Sequence, residues 1–298
     1  MSQKTRGMLF ASLSALFFGW SGVITKIIAI GGVGVPSILL FRGIMGACLL
    51  FPLLRRTEQP LYIPFWLLKR ILFLSVLGTT LTLLLLNMAY TYIPVGSATT
   101  IHYLYPVAVT MAESFISRQK PDKLTCIVLL ICTLSLVPLF EGFPPGSQAG
   151  LLFAGLSVFS WSFQLIYLDQ MDRSCLKQVP NFTLAFYQSC TTALVGLLAG
   201  AFVPHTWDAA LTQMPLFLLV GLMNSVLATV LLRASIQRVG AGIAAVLSVF
   251  EPVSAILFGV LLGEAPSLPQ LFASALVLSS ITVMIWISAR KGKGSIAA

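Results

Sequence analysis

Apolar residues along this chain arrive in long runs separated by short polar or basic stretches. Runs of about 17 to 25 such residues read as bilayer-spanning helices. Ten segments result, at 7–29, 36–54, 71–93, 95–117 and 124–140, then at 150–168, 181–203, 215–237, 240–262 and 268–289. Polar positions inside them recur at helical spacing. Segment 3 carries Thr79, Asn87 and Thr91, and segment 8 carries Ser225, Thr229, Arg233 and Gln237. Segment 4 presents Thr99, His102, Tyr103, Pro106 and Thr110, and segment 9 presents Ser248, Glu251 and Ser254. Segments 1 and 6 set Ser14, Phe18, Ser21 and Thr25 against Ser157, Trp161, Gln164 and Leu168. In lipid, such stripes bond to neighbouring helices or face a wet cavity.

The segments fall into two sets of five. GMLFASLS at 7–14 returns as GLLFAGLS at 150–157, with six of eight positions identical, and at an offset of 146 Pro106-Val107 answers Pro252-Val253. Five is odd, so a duplicated second copy enters the bilayer from the opposite side. The expected fold is therefore an all-α integral membrane protein of ten transmembrane helices, two inverted-topology five-helix repeats (1–145 and 146–298) around a central cavity. Segments 1, 3, 4, 6, 8 and 9 are expected to wall it.

Composition agrees with a membrane chain. Hydrophobic residues make up 57% and charged residues 9%, and the mean hydropathy is +0.95, outside the range of a soluble domain. Segment 1 follows Lys4 and Arg6 as a signal peptide would, but its run is too long for one and it is expected to stay as a helix. The net charge of +9 has a topological explanation. With the N-terminus inside, 16 of the 18 Lys and Arg fall on cytoplasmic loops or ends, whereas the outer loops carry Glu141, Asp208 and Glu264. That is the positive-inside pattern. It places both termini on the cytoplasmic side of the cell membrane and removes any need for a nucleic-acid partner.

Several residues inside the spans carry candidate chemistry. Pro106 and Pro252 lie near the middle of segments 4 and 9, where proline frees the carbonyl four residues earlier, that of His102 or Ser248. Interrupted helices at matching positions of two halves point to a transport site, so the two prolines are read as hinges. Trp20, Asn87, Tyr90, His102, Tyr103, Tyr105, Trp161, Gln164 and Glu251 are candidate substrate-binding residues. The large ones lie inside the spans rather than in the interfacial aromatic belt. Glu251 is the one acid expected at midplane and is read as a candidate proton carrier. Glu113, near the inner end of segment 4, is expected to reach the headgroups or Arg118. Lys26 and Arg42 lie toward the outer side and are read as an outer gate or anchor, and Arg233 as an interfacial anchor.

The run Tyr92-Ile93-Pro94-Val95-Gly96-Ser97-Ala98 leading to Tyr105-Pro106 carries a family likeness. So do Lys26, Arg42, Arg238-Val239-Gly240-Ala241, Phe250-Glu251-Pro252-Val253 and Gly263-Glu264. With these motifs the chain resembles the drug/metabolite transporter superfamily, in its ten-helix EamA-type branch, over essentially its whole length. The resemblance implies export of amino acids or related organic compounds. The first half has Tyr105 where the second has Glu251, so an acid before the proline is carried by one repeat only.

The function expected is secondary active transport of small amphipathic metabolites by alternating access. Multidrug or quaternary-ammonium cation export is the alternative, and a passive solute channel is a third reading of different class. No paired carboxylates, metal-ligand cluster, phosphate loop or activated nucleophile is present in the sequence, so no enzyme activity, metal or cofactor is expected. The expected partners are a small-molecule substrate, the lipid bilayer and protons. The chain is expected as a monomer or homodimer.

Overall fold

The computed structural model describes residues 2–93, 95–116, 118, 123–134, 147–175, 179–248 and 250–261, with scattered positions from 268 to 279. The end of segment 5, most of segment 10, Pro94, Lys177, Glu141, Glu264 and the cluster Arg290, Lys291 and Lys293 lie outside the described residues. Every regular element among those described is helical, and six helices are long and apolar enough to cross a membrane.

The first is α1 (Gln3–Ile30), whose N-cap Ser2 accepts the Thr5 N–H. The second is α2 (Val35–Arg56), opened by Pro36 in its first turn, where the missing N–H costs nothing. Then come α3 (Phe65–Tyr92), α4 (Val95–His102), α5 (Tyr105–Ile116) and α6 (Lys123–Leu134). The second set holds α7 (Gln148–Ser174), α8 (Asn181–Ala199) and the short α9 (Trp207–Thr212). It continues with α10 (residues 214–239), α11 (residues 241–247) and α12 (Phe250–Leu261).

Each break has a local cause. Ile93 is extended (φ −134°, ψ 157°) because the following proline excludes the helical region, and this separates α3 from α4. The position 146 residues on from that proline is Gly240, at φ +81° and ψ 167°, a conformation open to glycine, and it separates α10 from α11. The two halves thus break the chain at one place by two different residues. Each preceding helix also carries a π-helical stretch at matching positions, Ser75–Thr80 in α3 and Gly221–Ala228 in α10. Carbonyls released there find hydroxyls: Ser160 donates to Leu77 and Gly78, Ser14 to Ala228, and Thr229 to Asn224. Irregular backbone at membrane depth is stable when so satisfied.

Close helix contacts rest on glycine. A Cβ on Gly43 of α2 would strike the Ala193 backbone of α8, and one on Gly196 of α8 would strike Leu39 and Leu40 of α2. Small residues at such crossings let backbones approach where no hydrophobic force drives helices together. The repeated GMLFASLS motif has a physical role of the same kind. Its glycine in α1, Gly7, packs on Arg238 and Val239 at the α10 break, and its counterpart in α7, Gly150, packs on Tyr92 and Ile93 at the α3 break. Each copy of the motif seats against the break of the other half.

One expectation is corrected. Pro106 and Pro252 do not kink continuous helices; they stand in the first turns of α5 and α12, after α4 and α11 have ended. The chain turns at Tyr103–Leu104, with the Leu104 N–H bonded to the Ile101 carbonyl. In the second half the Ser248 carbonyl is not freed, because it accepts the Glu251 N–H at 3.0 Å.

Candidate functional site

The stripes read from the sequence converge. Between the helices lies a cavity of about 80 Å³, walled by Phe18, Ser21 and Thr25 of α1, Thr79, Asn87 and Tyr90 of α3, and Trp161, Gln164 and Leu168 of α7. His102 closes it from the end of α4, and Glu251 from the first turn of α12. Six of the nine candidate binding residues therefore face it: Asn87, Tyr90, His102, Trp161, Gln164 and Glu251.

The other three do not line it. Trp20 turns away to stack on Phe258, with centroids 4.7 Å apart and planes 17° apart. Tyr103 and Tyr105 are packed in the core behind the cavity wall. Their hydroxyls form no hydrogen bond among the described residues, although that of Tyr103 lies close to the Glu251 carboxylate. The rings of Tyr103, Tyr105 and Trp161 surround His102 at centroid distances of 6.1, 5.3 and 6.4 Å.

The orientation of His102 follows from its partner. The Ser157 hydroxyl donates to the Ala154 carbonyl at 2.6 Å, so at 2.8 Å it can only accept from His102 Nδ1. The ring then presents Nε2 as an acceptor. Gln164 brings an amide whose Oε1 is buried and has no partner.

Three polar groups on the wall come from outside the expected stripes. Asn224 of α10 faces the cavity and donates to the Ser21 hydroxyl at 3.1 Å. Gln188 of α8 donates to Thr79 at 3.1 Å, and Arg42 of α2 reaches in beside it. So α2 and α8 wall the cavity as well as the six segments expected. The sequence held a signal for this, since Arg42 and Gln188 are 146 positions apart. Arg42 is 5% exposed, buried in the wall rather than snorkelling to a surface. Lys26 is half-buried and stands outside the cavity lining.

Arg233 also departs from expectation. It is 1% exposed and bonds to Asp172 through Nη2 at 2.7 Å and through Nε at 3.2 Å, while Nη1 donates to the Pro180 carbonyl at 3.1 Å. Asp172 lies within α7, which runs six residues past the end expected for segment 6. A buried guanidinium needs such a partner, and that requirement alone could have directed attention to an acid on a neighbouring helix. Arg233 lines the cavity, whereas Asp172 lines a second hollow that holds Lys4, Asp169, Arg173 and Arg238. The ion pair is thus the partition between the two spaces. Glu113, half-buried, accepts the Gly242 N–H at 3.0 Å and satisfies the start of α11, rather than meeting Arg118.

Cavity and helices together define a polytopic helical membrane protein with an internal polar chamber. The profile of the EamA-like transporter family matches it twice, at residues 5–140 and 148–286. The chain belongs to that family and is a membrane transporter of the drug/metabolite type. An uncharacterized transporter of Synechocystis sp., sll1319, is 24% identical over 97% of each chain. A solved crystal structure superposes with a TM-score of 0.72 over 96% of this chain and 98% of its own, at 17% identity, a likeness of fold alone.

Proposed function

We propose that this protein is a secondary carrier exporting small amphipathic organic metabolites, amino acids or their relatives, across the cytoplasmic membrane by alternating access. In this reading the chain forms ten helices in two inverted repeats with both termini inside. The two family matches support it, as do the breaks and π segments recurring at one offset and the reciprocal seating of Gly7 and Gly150.

The observation that carries the proposal is the partitioned cavity. A chamber bounded at one end by a buried Arg233–Asp172 pair fits a carrier closed toward one side, with that pair as one contact that opening would part. In this reading the pair lies toward the cytoplasmic end and belongs to an inward-closed conformation.

Cation export is the second reading. It draws on Glu251 beside the rings of Tyr90 and Tyr103, a setting that attracts an ammonium. The cationic Arg42 on the same wall weighs against it.

Counterflow into proteoliposomes is the test, with a radiolabelled panel of the twenty standard amino acids, tetraphenylphosphonium and choline. A carrier gives transient accumulation of label driven by unlabelled solute on the far side. Non-saturable flux without that overshoot, for every member of the panel, identifies a channel and sinks the carrier reading.

A further inference from the structure

Two opposite charges face the cavity and do not pair. Arg42 and Glu251 sit near enough that each is a main electrostatic neighbour of the other. Yet neither has an ion-pair partner among the described residues, where the pairs formed are Arg173–Asp169 and Arg233–Asp172. A charge withdrawn from water into a membrane protein needs a counter-charge or a wet cavity. Here both charges have the cavity and no counter-charge.

The surroundings of Arg42 are built for an anion. Beside it the chamber narrows into a side cleft with room for about one water between α2, α8 and α10, lined by Thr79, Gln188, Ser189, Thr192, Asn224 and Ser225. The hydroxyls of Ser189 and Ser225 converge over Gly46, where a Cβ would displace both. Gln188 is 3% exposed, and its Oε1 is buried without a donor. A half-turn of its amide lets Thr79 donate to that oxygen and turns two N–H groups toward the cleft, at the same heavy-atom positions. Among the described residues no acid lines the cleft. The surroundings of Glu251 are of the other kind: the phenol rings of Tyr90, Tyr103 and Tyr105 are its neighbours.

From this geometry, and resting on the carrier reading above, we propose that the transported solute is a zwitterion held at both charges. Its carboxylate enters the cleft of Arg42, Gln188, Ser189 and Ser225, and its ammonium faces Glu251. A lone cation satisfies Glu251 but stands against Arg42 with nothing in the cleft, and a lone anion meets the reverse conflict. A molecule carrying both charged groups on one carbon neutralises both walls at once. The guanidinium is suited to the carboxylate end because its planar fork grips two oxygens together. Specificity then arises as in any site built around buried polar groups: an analogue that omits one charge leaves its partner in the wall unpaired.

The test uses the wild-type carrier first. The standard amino acid giving the fastest counterflow is set against two competitors of the same skeleton, its decarboxylated amine and its deaminated acid. Each competitor is expected to inhibit at least tenfold more weakly than the unlabelled amino acid. Inhibition by the amine as strong as by the amino acid overturns the carboxylate cleft, and equal inhibition by the acid overturns the role of Glu251. If no standard amino acid shows counterflow while tetraphenylphosphonium or choline does, the zwitterion proposal fails and the carrier reading stands. Absence of counterflow across the whole panel removes both. As a second measurement, Arg42→Gln is expected to raise the KM for the amino acid at least tenfold and to narrow the gap between amino acid and amine. An Arg42→Gln protein with wild-type KM overturns the proposal.

Discussion

Two arginines line one cavity and are treated in opposite ways. Arg233 is enclosed, held by the Asp172 carboxylate and the Pro180 carbonyl. Arg42 is buried too, but among the described residues it has neutral polar neighbours and the nearby, unpaired charge of Glu251. They occupy different levels. Ser225 of the Arg42 cleft and Arg233 are eight residues apart on α10, a rise of about 12 Å. The protein supplies the counter-charge where a wall must hold, and withholds it where a solute is to bind. A buried guanidinium is therefore no functional signal by itself; what pairs with it is.

The largest expected effect of breaking this contrast falls on stability. Asp172→Ala leaves Arg233 buried and uncompensated, and removal of one partner from such a pair costs about 3–5 kcal/mol. Detergent-solubilised protein should show that loss in thermal or denaturant unfolding, and Arg233→Met should recover part of it in the Asp172→Ala background. Arg42→Gln removes a charge that no carboxylate balances, so its unfolding midpoint should stay at or above wild type. If Asp172→Ala and Arg42→Gln destabilise alike, Arg42 is a structural residue with a partner of its own.

How much of this was legible in the sequence depends on what each signal measures. Helical stripes gave the phases of α1, α3 and α7 correctly, since a run of hydroxyls and amides in lipid has to face inward and the spacing says which side that is. The same reasoning left Gln188 and Asn224 unplaced and read Arg42 as an outer gate or anchor, because none of the three belonged to a stripe taken to face the cavity. Pairing across helices is a tertiary property, so Asp172, at the end of one helix, could not be tied to Arg233, in another, by spacing. The prolines were located correctly but misread, because a proline within a long apolar run is compatible either with a kink or with the first turn of a new helix. The turn at Tyr103–Leu104 decides that, and it carries no Gly or Pro of its own. Trp20, Tyr103 and Tyr105 share a lesson: an aromatic ring at membrane depth packs on other rings as readily as it faces a cavity.

A second, intermediate effect separates binding from coupling at the open-charge end. Glu251 has an exposed face on the chamber and no ion-pair partner among the described residues, so it can take up either a proton or a cationic group, one excluding the other. Glu251→Gln keeps the shape and most hydrogen bonding while removing titration. Transport accelerated by an imposed pH gradient should fall at least tenfold to the rate seen without a gradient, in protein that purifies and elutes as wild type. Full retention of the gradient's effect would make Glu251 an electrostatic partner of the solute and nothing more.

The smallest effect concerns the breaks in the chain beside these charges. Glu251 and Pro252 share the first turn of α12, and Pro106 stands in the matching turn of α5. In a first turn the proline lacks only an N–H that the helix would not use, and its ring fixes a backbone angle the helix already wants. Pro106→Ala then loses mainly the stiffness of the unfolded chain, about 0.4–1 kcal/mol. Exchange rates should change by less than threefold, since the turn at Tyr103–Leu104, held by the Leu104 N–H on the Ile101 carbonyl, persists without the ring. The comparison is counterflow at matched protein levels. Slowing by tenfold or more would mean that alanine had let α4 and α5 fuse into one helix, and that proline, not the turn, keeps the charged level of the cavity free to move.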